Sequence, residues 1–289
     1  MSVEAPPPTP TFPGTEEVVE DEPAQVRPRR RYGAWILGGY SLLVIAYTIV
    51  PIGVIVAYSF NRAPSGRLNF KWLGATTTWY QQIFQIPDLT GALEHSLEIA
   101  AIATLCATLL GTPLALALAR HRFYGKTLTD LVIFIDIAAP SVVVGASLLS
   151  LFIQLNWPRG LITIVLAHIA FDVAFVAVVV RARVEDLDRS IEKAAMDLGA
   201  GPWTTFFRVT LPLIAPGIVA GAMLAFALSI DDFIITQFVA GPTVTFPLWV
   251  WGAVKVGIPP QVFAMGTLIF FGGVAIAVVN SLVQRRTAV

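Results

Sequence analysis

Residues 181–217 read RARVEDLDRSIEKAAMDLGAGPWTTFFRVTLPLIAPG, a polar segment set between two long apolar runs. Alternating charges, an Ala-Ala pair, a turn glycine and a helix-breaking Leu-Pro step interrupt a chain that is otherwise oily. A loop of that composition at a membrane face is a docking surface for another protein. A chain that is mostly membrane plus one docking surface is moved by something else.

The rest of the chain bears this out in composition. Of its 289 residues 56% are hydrophobic and only 13% charged, with a mean hydropathy of +0.73; soluble domains run near one quarter charged. A bilayer core of roughly 30 Å needs about 20 apolar residues per helix. Six windows qualify: 35–60, 93–119, 131–155, 161–180, 213–239 and 262–283. Backbone groups in lipid must bond within their own segment or within a closed barrel. Continuous Leu, Ile, Val and Ala, without alternation, exclude the barrel. The expected fold is all-α, with six transmembrane helices.

Lysine and arginine set the orientation. With the N-terminus inside, 14 of the 19 fall on the cytoplasmic side, among them Arg120, Arg122, Lys126, Arg181, Arg189 and Arg208. Five (Arg62, Arg67, Lys71, Arg159 and Lys255) fall outside. Both termini and the 181–208 loop are therefore expected in the cytoplasm, and the protein in the plasma (inner) membrane. Residues 1–28, proline-rich and then acidic, cannot build a core and read as a disordered tail. Residues 29–289 form the membrane domain. No small-residue cleavage site follows the first apolar run, so that span stays as an anchor. The Arg29-Arg30-Arg31 cluster holds its cytoplasmic end against anionic lipid.

No enzyme signature survives. Gly125-Lys126-Thr127 resembles the end of a phosphate loop, but Arg120 stands where the upstream glycine belongs, and a membrane helix rather than a strand precedes it. His95, His121 and His168 share no metal-ligand spacing. Cys106, the one cysteine, lies in an apolar run and reads as a core residue. Nothing points to nucleic acid, and no residue set hydrolyses a nucleotide.

Within the loop, Ser190 is placed to cap a short helix ending at Leu198, and Gly199 suits a left-handed residue after the last turn. Gly201-Pro202 starts a second helix, with proline at its first position. Trp203, Phe206, Phe207 and Thr210 fall nearly on one side of it, suited to the headgroup boundary, and Pro212 ends it. Small Ala194 and Ala195 keep the first helix thin enough to enter a groove.

Ala194-Ala195-x-x-x-Gly199, followed after nine residues by Val209-x-Leu211-Pro212, resembles the EAA loop of the membrane subunits of ABC importers. The signature's glutamate position holds Lys193, with Glu192 one residue earlier and about 100° away around the helix. The likeness extends to the spermidine/putrescine-type branch, and there to the second of two paired permeases. It is carried by Lys71-Trp72 to Trp79-Tyr80, His95-Ser96-Leu97, RHRFYGK at 120–126 and PSVVVGASLLSLF at 140–152. Ser229-Ile230-Asp231-Asp232-Phe233, Gly241-Pro242, Phe246-Pro247-Leu248 and VKVGI at 254–258 complete it. The resemblance implies a type I importer permease with no cofactor of its own. ATP and Mg are bound by two cytosolic ATPase subunits. The other partners are a homologous second permease and an extracytoplasmic binding protein. It implies that Glu192, Lys193, Ala194, Ala195, Asp197, Gly199, Leu211 and Pro212 couple to the ATPase. Relatives often carry an aspartate just after the third-span proline, where this chain has Ser141.

Acids inside the spans point to the cargo. Glu98, Asp136, Asp172, Asp231 and Asp232 lie in the windows, whereas Lys and Arg stay at or beyond their ends. A carboxylate near mid-bilayer costs several kcal/mol unless it meets water or a partner, so it defaults to function. An acidic pathway favours cations. Asp231, Asp232, Asp136, Asp172, Ser141 and Trp79 are the pathway candidates. Plainer roles stand beside these: Glu98 snorkels, Asp136 and Asp172 bond Ser, Thr or His168 across helices, and Trp79 anchors at the interface. Gly217-x-x-x-Gly221 permits close packing. The expected function is ATP-driven import of polyamines or another small organic cation. A permease for ferric iron, sugar or thiosulfate is the main rival, and a secondary transporter the more distant one.

Overall fold

The structure, a computed structural model, describes residues 32–67 and 71–287. The expected tail over 1–28 and the Arg29-Arg30-Arg31 anchor lie outside the described residues. The described residues fall into two units, divided after Pro51. Helix α1 (Tyr32–Ser59) contains Pro51. There follow α2 (Thr78–Gln81), α3 (Pro87–Arg120), α4 (Lys126–Ala138), α5 (Ser141–Gln154) and α6 (Leu161–Glu185). The polar hairpin holds α7 (Arg189–Asp197) and α8 (Pro202–Thr205), and a π turn (Phe206–Thr210) leads into α9 (Leu211–Asp231). The chain continues through α10 (Ile234–Val239) and α11 (Phe246–Val256) to α12 (Pro260–Thr287). Among the described residues, five helical stretches are long and apolar enough to cross a membrane, or six with the bent pair of α4 and α5 counted as one span.

That bent pair corrects the expected straight third span. α4 and α5 meet at 108° across Ala139-Pro140, both residues extended (ψ 135° and 131°). Proline lacks an N–H, and its ring pushes the preceding residue out of the helical region. The fifth span is corrected at both ends. A continuous stretch, Pro202–Asp231, replaces a start near residue 213, and it stops eight residues before 239. Pro212 does not end a helix; it sits in the first turn of α9, where a missing N–H costs little. The π turn just ahead closes with the Leu211 N–H on the Phe206 carbonyl.

Helices α3, α6 and α9 form the centre of the larger unit, with Ala107, Ala115, Val176, Val180, Val184, Ile214 and Ala225 buried between them. Glycines set the spacing. A Cβ on Gly111 would lie 2.8 Å from Val176 Cγ1, and one on Gly217 would lie 2.6 Å from Arg183 Cβ. Gly221 also faces Val176, at 3.5 Å, so the Gly217-x-x-x-Gly221 pair packs α9 against α6 as expected. α10 lies on α5, where Gly145 makes room for Phe238. At the end away from the hairpin, Ile83, Leu89, Val262, Ala264 and Met265 form a separate cluster under Trp79 and Tyr80.

A methyl group at residue 111 has no space unless Val176 yields. Gly111→Ala is expected to destabilise the protein by about 1–3 kcal/mol. Combined with Val176→Ala, the total loss should fall below the sum of the two single losses. Thermal unfolding of the detergent-purified protein measures both; strict additivity would show that this contact does not set the helix spacing.

Candidate functional site

The site is built where α9 stops. Asp231 is its last residue; Asp232 is extended (φ −63°, ψ 120°) and the chain turns into α10. No glycine or proline causes the break. The Asp232 carboxylate accepts the N–H of Thr236 at 2.8 Å, the N–H of Ile235 at 3.4 Å and the Thr236 hydroxyl at 2.8 Å. It thereby caps donors that a helix start leaves unpaired. His168 of α6 continues the network: Nε2 lies 2.9 Å from Thr236 Oγ1 and 3.5 Å from Asp232, and Nδ1 lies 2.7 Å from Ser229 Oγ. One assignment satisfies every group. Ser229 donates to Nδ1, Nε2–H donates to Thr236, and Thr236 donates to Asp232.

Asp231 has a different setting. It is exposed and lines an open pocket of about 350 Å³ with Phe233, Phe246, Val250, Trp251 and Val254. Asp172, on α6, is fully buried, and neither carboxylate oxygen has a hydrogen-bond partner. It lies within electrostatic reach of Asp232 and Asp136. Asp136 is half-buried on α4, and Ser141 begins α5 just past the bend. The structure therefore brings Asp172, Asp136 and Asp232 into one neighbourhood. Trp79 is apart from them: its Nε1–H donates to the Asn61 carbonyl at 2.7 Å.

At the opposite end, Asp188 rather than Ser190 caps α7, accepting the Ser190 N–H at 2.8 Å. That bond holds the Asp188 carboxyl below the usual carboxylate range. Gly199 has φ +89°, the left-handed conformation its place after the helix demands. Glu192 faces inward, 3.5 Å from Arg120 Nη2, and accepts the Thr210 hydroxyl at 2.9 Å. Arg120 also donates to the Leu187 carbonyl, and Arg189 to the Ala119 carbonyl. Lys193, Ala194, Asp197 and Gly199 are exposed; Ala195 and Leu211 are half-buried, and Pro212 is exposed. Thr210 does not share a face with the aromatics. It is buried, while Trp203 and Phe207 stack outward at 6.2 Å, because the π turn adds a residue per turn between them.

Residues 111–289 match the model of a family described as "binding-protein-dependent transport system inner membrane component". The chain belongs to this family. It is 44% identical over 236 residues to the putrescine transport system permease protein PotI of Escherichia coli (strain K12), covering 79% of this chain and 83% of that one. It is 35% identical over 254 residues to the spermidine/putrescine transport system permease protein PotC of the same strain, covering 88% and 95%. Among solved structures, a bacterial ABC transporter for import of the acidic polysaccharide alginate superposes with a TM-score of 0.66 at 15% identity, over 89% of this chain and 97% of that one. An amino acid ABC transporter follows with a TM-score of 0.57 at 17% identity, over 73% and 99%. The protein is thus a multi-pass inner-membrane permease with the fold of ABC importer permeases.

Several contacts of the candidate site escape a sequence reading. Arg120 and Thr210 stand 72 and 18 residues from Glu192, and nothing local announces the pairing. Phe233 reaches the pocket because the chain turns at Asp232, and Trp251 arrives from α11. The one legible signal was the Asp-Phe-Ile-Ile-Thr run at 232–236, a cap ahead of an apolar turn.

The two neighbouring aspartates should separate in a stability measurement. Asp232→Ala removes acceptors from three donors and is expected to cost about 1–2 kcal/mol. Asp231→Ala, exposed, should change stability by less than about 0.5 kcal/mol. Denaturation of the purified permease decides, and equal losses would contradict the division of roles.

Proposed function

We propose that this permease moves polyamines, or closely similar linear organic cations, inward across the membrane, driven by ATP hydrolysed on separate subunits. The observation that carries the substrate class is the relationship to permeases named for putrescine and spermidine, which extends over most of the chain. The acid placement supports it. Asp231 opens into a pocket at a helix break, and Asp172, Asp136 and Asp232 lie within electrostatic reach of one another through Asp172 in the same membrane domain. A carboxylate in a partly dehydrated path attracts an ammonium more strongly than it would in water.

The complete machine in this reading contains a homologous second permease, two cytosolic ATPases that bind ATP and Mg, and an extracytoplasmic binding protein. Both termini and the hairpin face the cytoplasm. The exposed side of α7, with Lys193, Ala194 and Asp197, meets the ATPase, while Glu192 ties the hairpin back to Arg120 and Thr210. ATP binding draws the ATPases together and moves α7. The stretch Pro202–Asp231 connects that movement to the helix break without an interruption.

Two measurements test this. Vesicles holding the full complex should accumulate radiolabelled putrescine or spermidine in an ATP-dependent manner, and Asp231→Asn should cut uptake at least tenfold with assembly unchanged. Uptake of only a neutral sugar or ferric iron would refute the substrate class. Separately, Gly199→Val forces a β-branched residue into a left-handed position. It is expected to abolish uptake and ATPase association while membrane insertion persists; unchanged association would remove the hairpin from the coupling role.

A further inference from the structure

We propose that the outer face of the permease is a cationic docking surface for an acidic face of the extracytoplasmic binding protein, centred on Arg67 and Lys255. This rests on the orientation and partners of the importer proposed above and adds the chemistry by which one partner is recognised. Three segments lie on that face, 60–86, 155–160 and 240–259. They hold Arg62, Arg67, Lys71, Arg159 and Lys255 and no Asp or Glu. The acids nearest in sequence are Asp88, in the first turn of α3, and Asp232, already consumed as a cap. All five cations are exposed. Among the described residues Arg62, Arg67, Arg159 and Lys255 form no ion pair, whereas at the hairpin end Arg120 pairs with Glu192 and Arg181 with Asp130 and Glu185. Lys and Arg normally concentrate on the cytoplasmic side of a membrane protein. A set left without counter-charge on the other side points to an anionic partner.

The fold brings two of these cations together. Gly257 closes α11 at φ +109°, just past Lys255. The same glycine lets the 60–67 loop come close, since a Cβ there would lie 2.9 Å from Arg67 Cδ. Arg67 therefore rests on the end of α11, two residues beyond Lys255, although the two are far apart in sequence. Arg67 also borders an open groove of about 540 Å³ lined by Ile86, Val244, Leu248, Trp249 and Val256. An apolar groove with cations at its edge fits a protein loop that carries Asp or Glu beside apolar side chains. The groove takes the apolar part and the cations take the carboxylates. The charge bears on the cargo as well. A free diammonium meets like charges before it reaches any acid of the pathway, within a Debye length of roughly 8 Å. The rim repels naked cargo and favours cargo whose charge a carrier masks, and an acidic carrier is steered onto it. Anionic lipid would neutralise the rim and leave free cargo unopposed, so the surface is assigned to the binding protein.

The test uses the full complex in vesicles of zwitterionic lipid, with its cognate binding protein and putrescine added outside. The binding-protein concentration that half-saturates ATP hydrolysis is read separately from the maximal rate. Arg67→Glu combined with Lys255→Glu should raise that concentration roughly tenfold, and Arg67→Lys combined with Lys255→Arg should stay within about threefold of the wild type. Raising the salt from about 0.05 to 0.3 M should raise it roughly threefold for the wild type and not for the charge-reversed variant. If the reversed variant fails to assemble, the wild-type salt series decides, and a flat series overturns the surface. An unchanged half-saturating concentration on charge reversal, or a complex indifferent to the binding protein, overturns it too. Stimulation by anionic lipid that charge reversal removes, with the binding-protein dependence unchanged, assigns the cations to lipid and overturns the proposal. Binding-protein stimulation that follows charge and salt as expected, without putrescine uptake, overturns the polyamine reading and leaves the docking surface standing.

Discussion

The carboxylate of Asp232 is the constraint on which the far end of this permease depends. The first turn of a helix leaves backbone N–H groups without partners in their own helix, and each one left unsatisfied in an apolar surrounding costs several kcal/mol. Asp232 removes that cost by meeting two N–H groups and a hydroxyl. A bare carboxylate would simply exchange one burial penalty for another. The chain Ser229–His168–Thr236 shares its load across α6, α9 and α10. The break is therefore a built feature, and it is what allows Asp231 to face open space while its neighbour is consumed in structure.

The same economy of contacts governs how the two ends are joined. Val176 meets both Gly111 of α3 and Gly221 of α9, and Arg183 lies on Gly217. Backbones that approach this closely shift together, since a packed interface steps between arrangements rather than deforming smoothly. Glu192 and Arg120 tie α7 to the last turn of α3, and Thr210 ties it to the foot of α9. In the proposed cycle these contacts pass a displacement of α7 to the helices that carry the candidate site.

Much of this was legible in the chain. Apolar runs located the spans, because no other structure satisfies their backbone in lipid. Gly199 was readable as a left-handed residue and Gly217 and Gly221 as contact points, because glycine's steric meaning is local. Reading failed where the cause was distant or was outweighed. Pro140 is an evident bend, yet the length of the 131–155 run suggested a single helix. Pro212 suggested a stop, but position within the first turn and the π turn before it removed the conflict. Asp188 displaced Ser190 as the cap because the helix starts at Arg189, two residues earlier than a Ser190 cap implied. The roles of Glu192 and Thr210 depend on partners the sequence places far away, and α11 is too short to stand out among the spans.

Asp231 and Asp232 show why residue type alone does not assign function. On a continuous helix the two would diverge by about 100° and compete for the same description as pathway acids. The helix ends between them instead. Asp232 gains three donors and a histidine from the turn it creates, so its charge is committed locally. Asp231 receives no such partners and keeps its carboxylate at the mouth of an aromatic pocket. The structural acid sets the place of the candidate pathway acid: without the cap there is no turn, without the turn Phe233 does not meet Trp251, and Asp231 would be a single charge on a lipid-length helix with nothing opposite it.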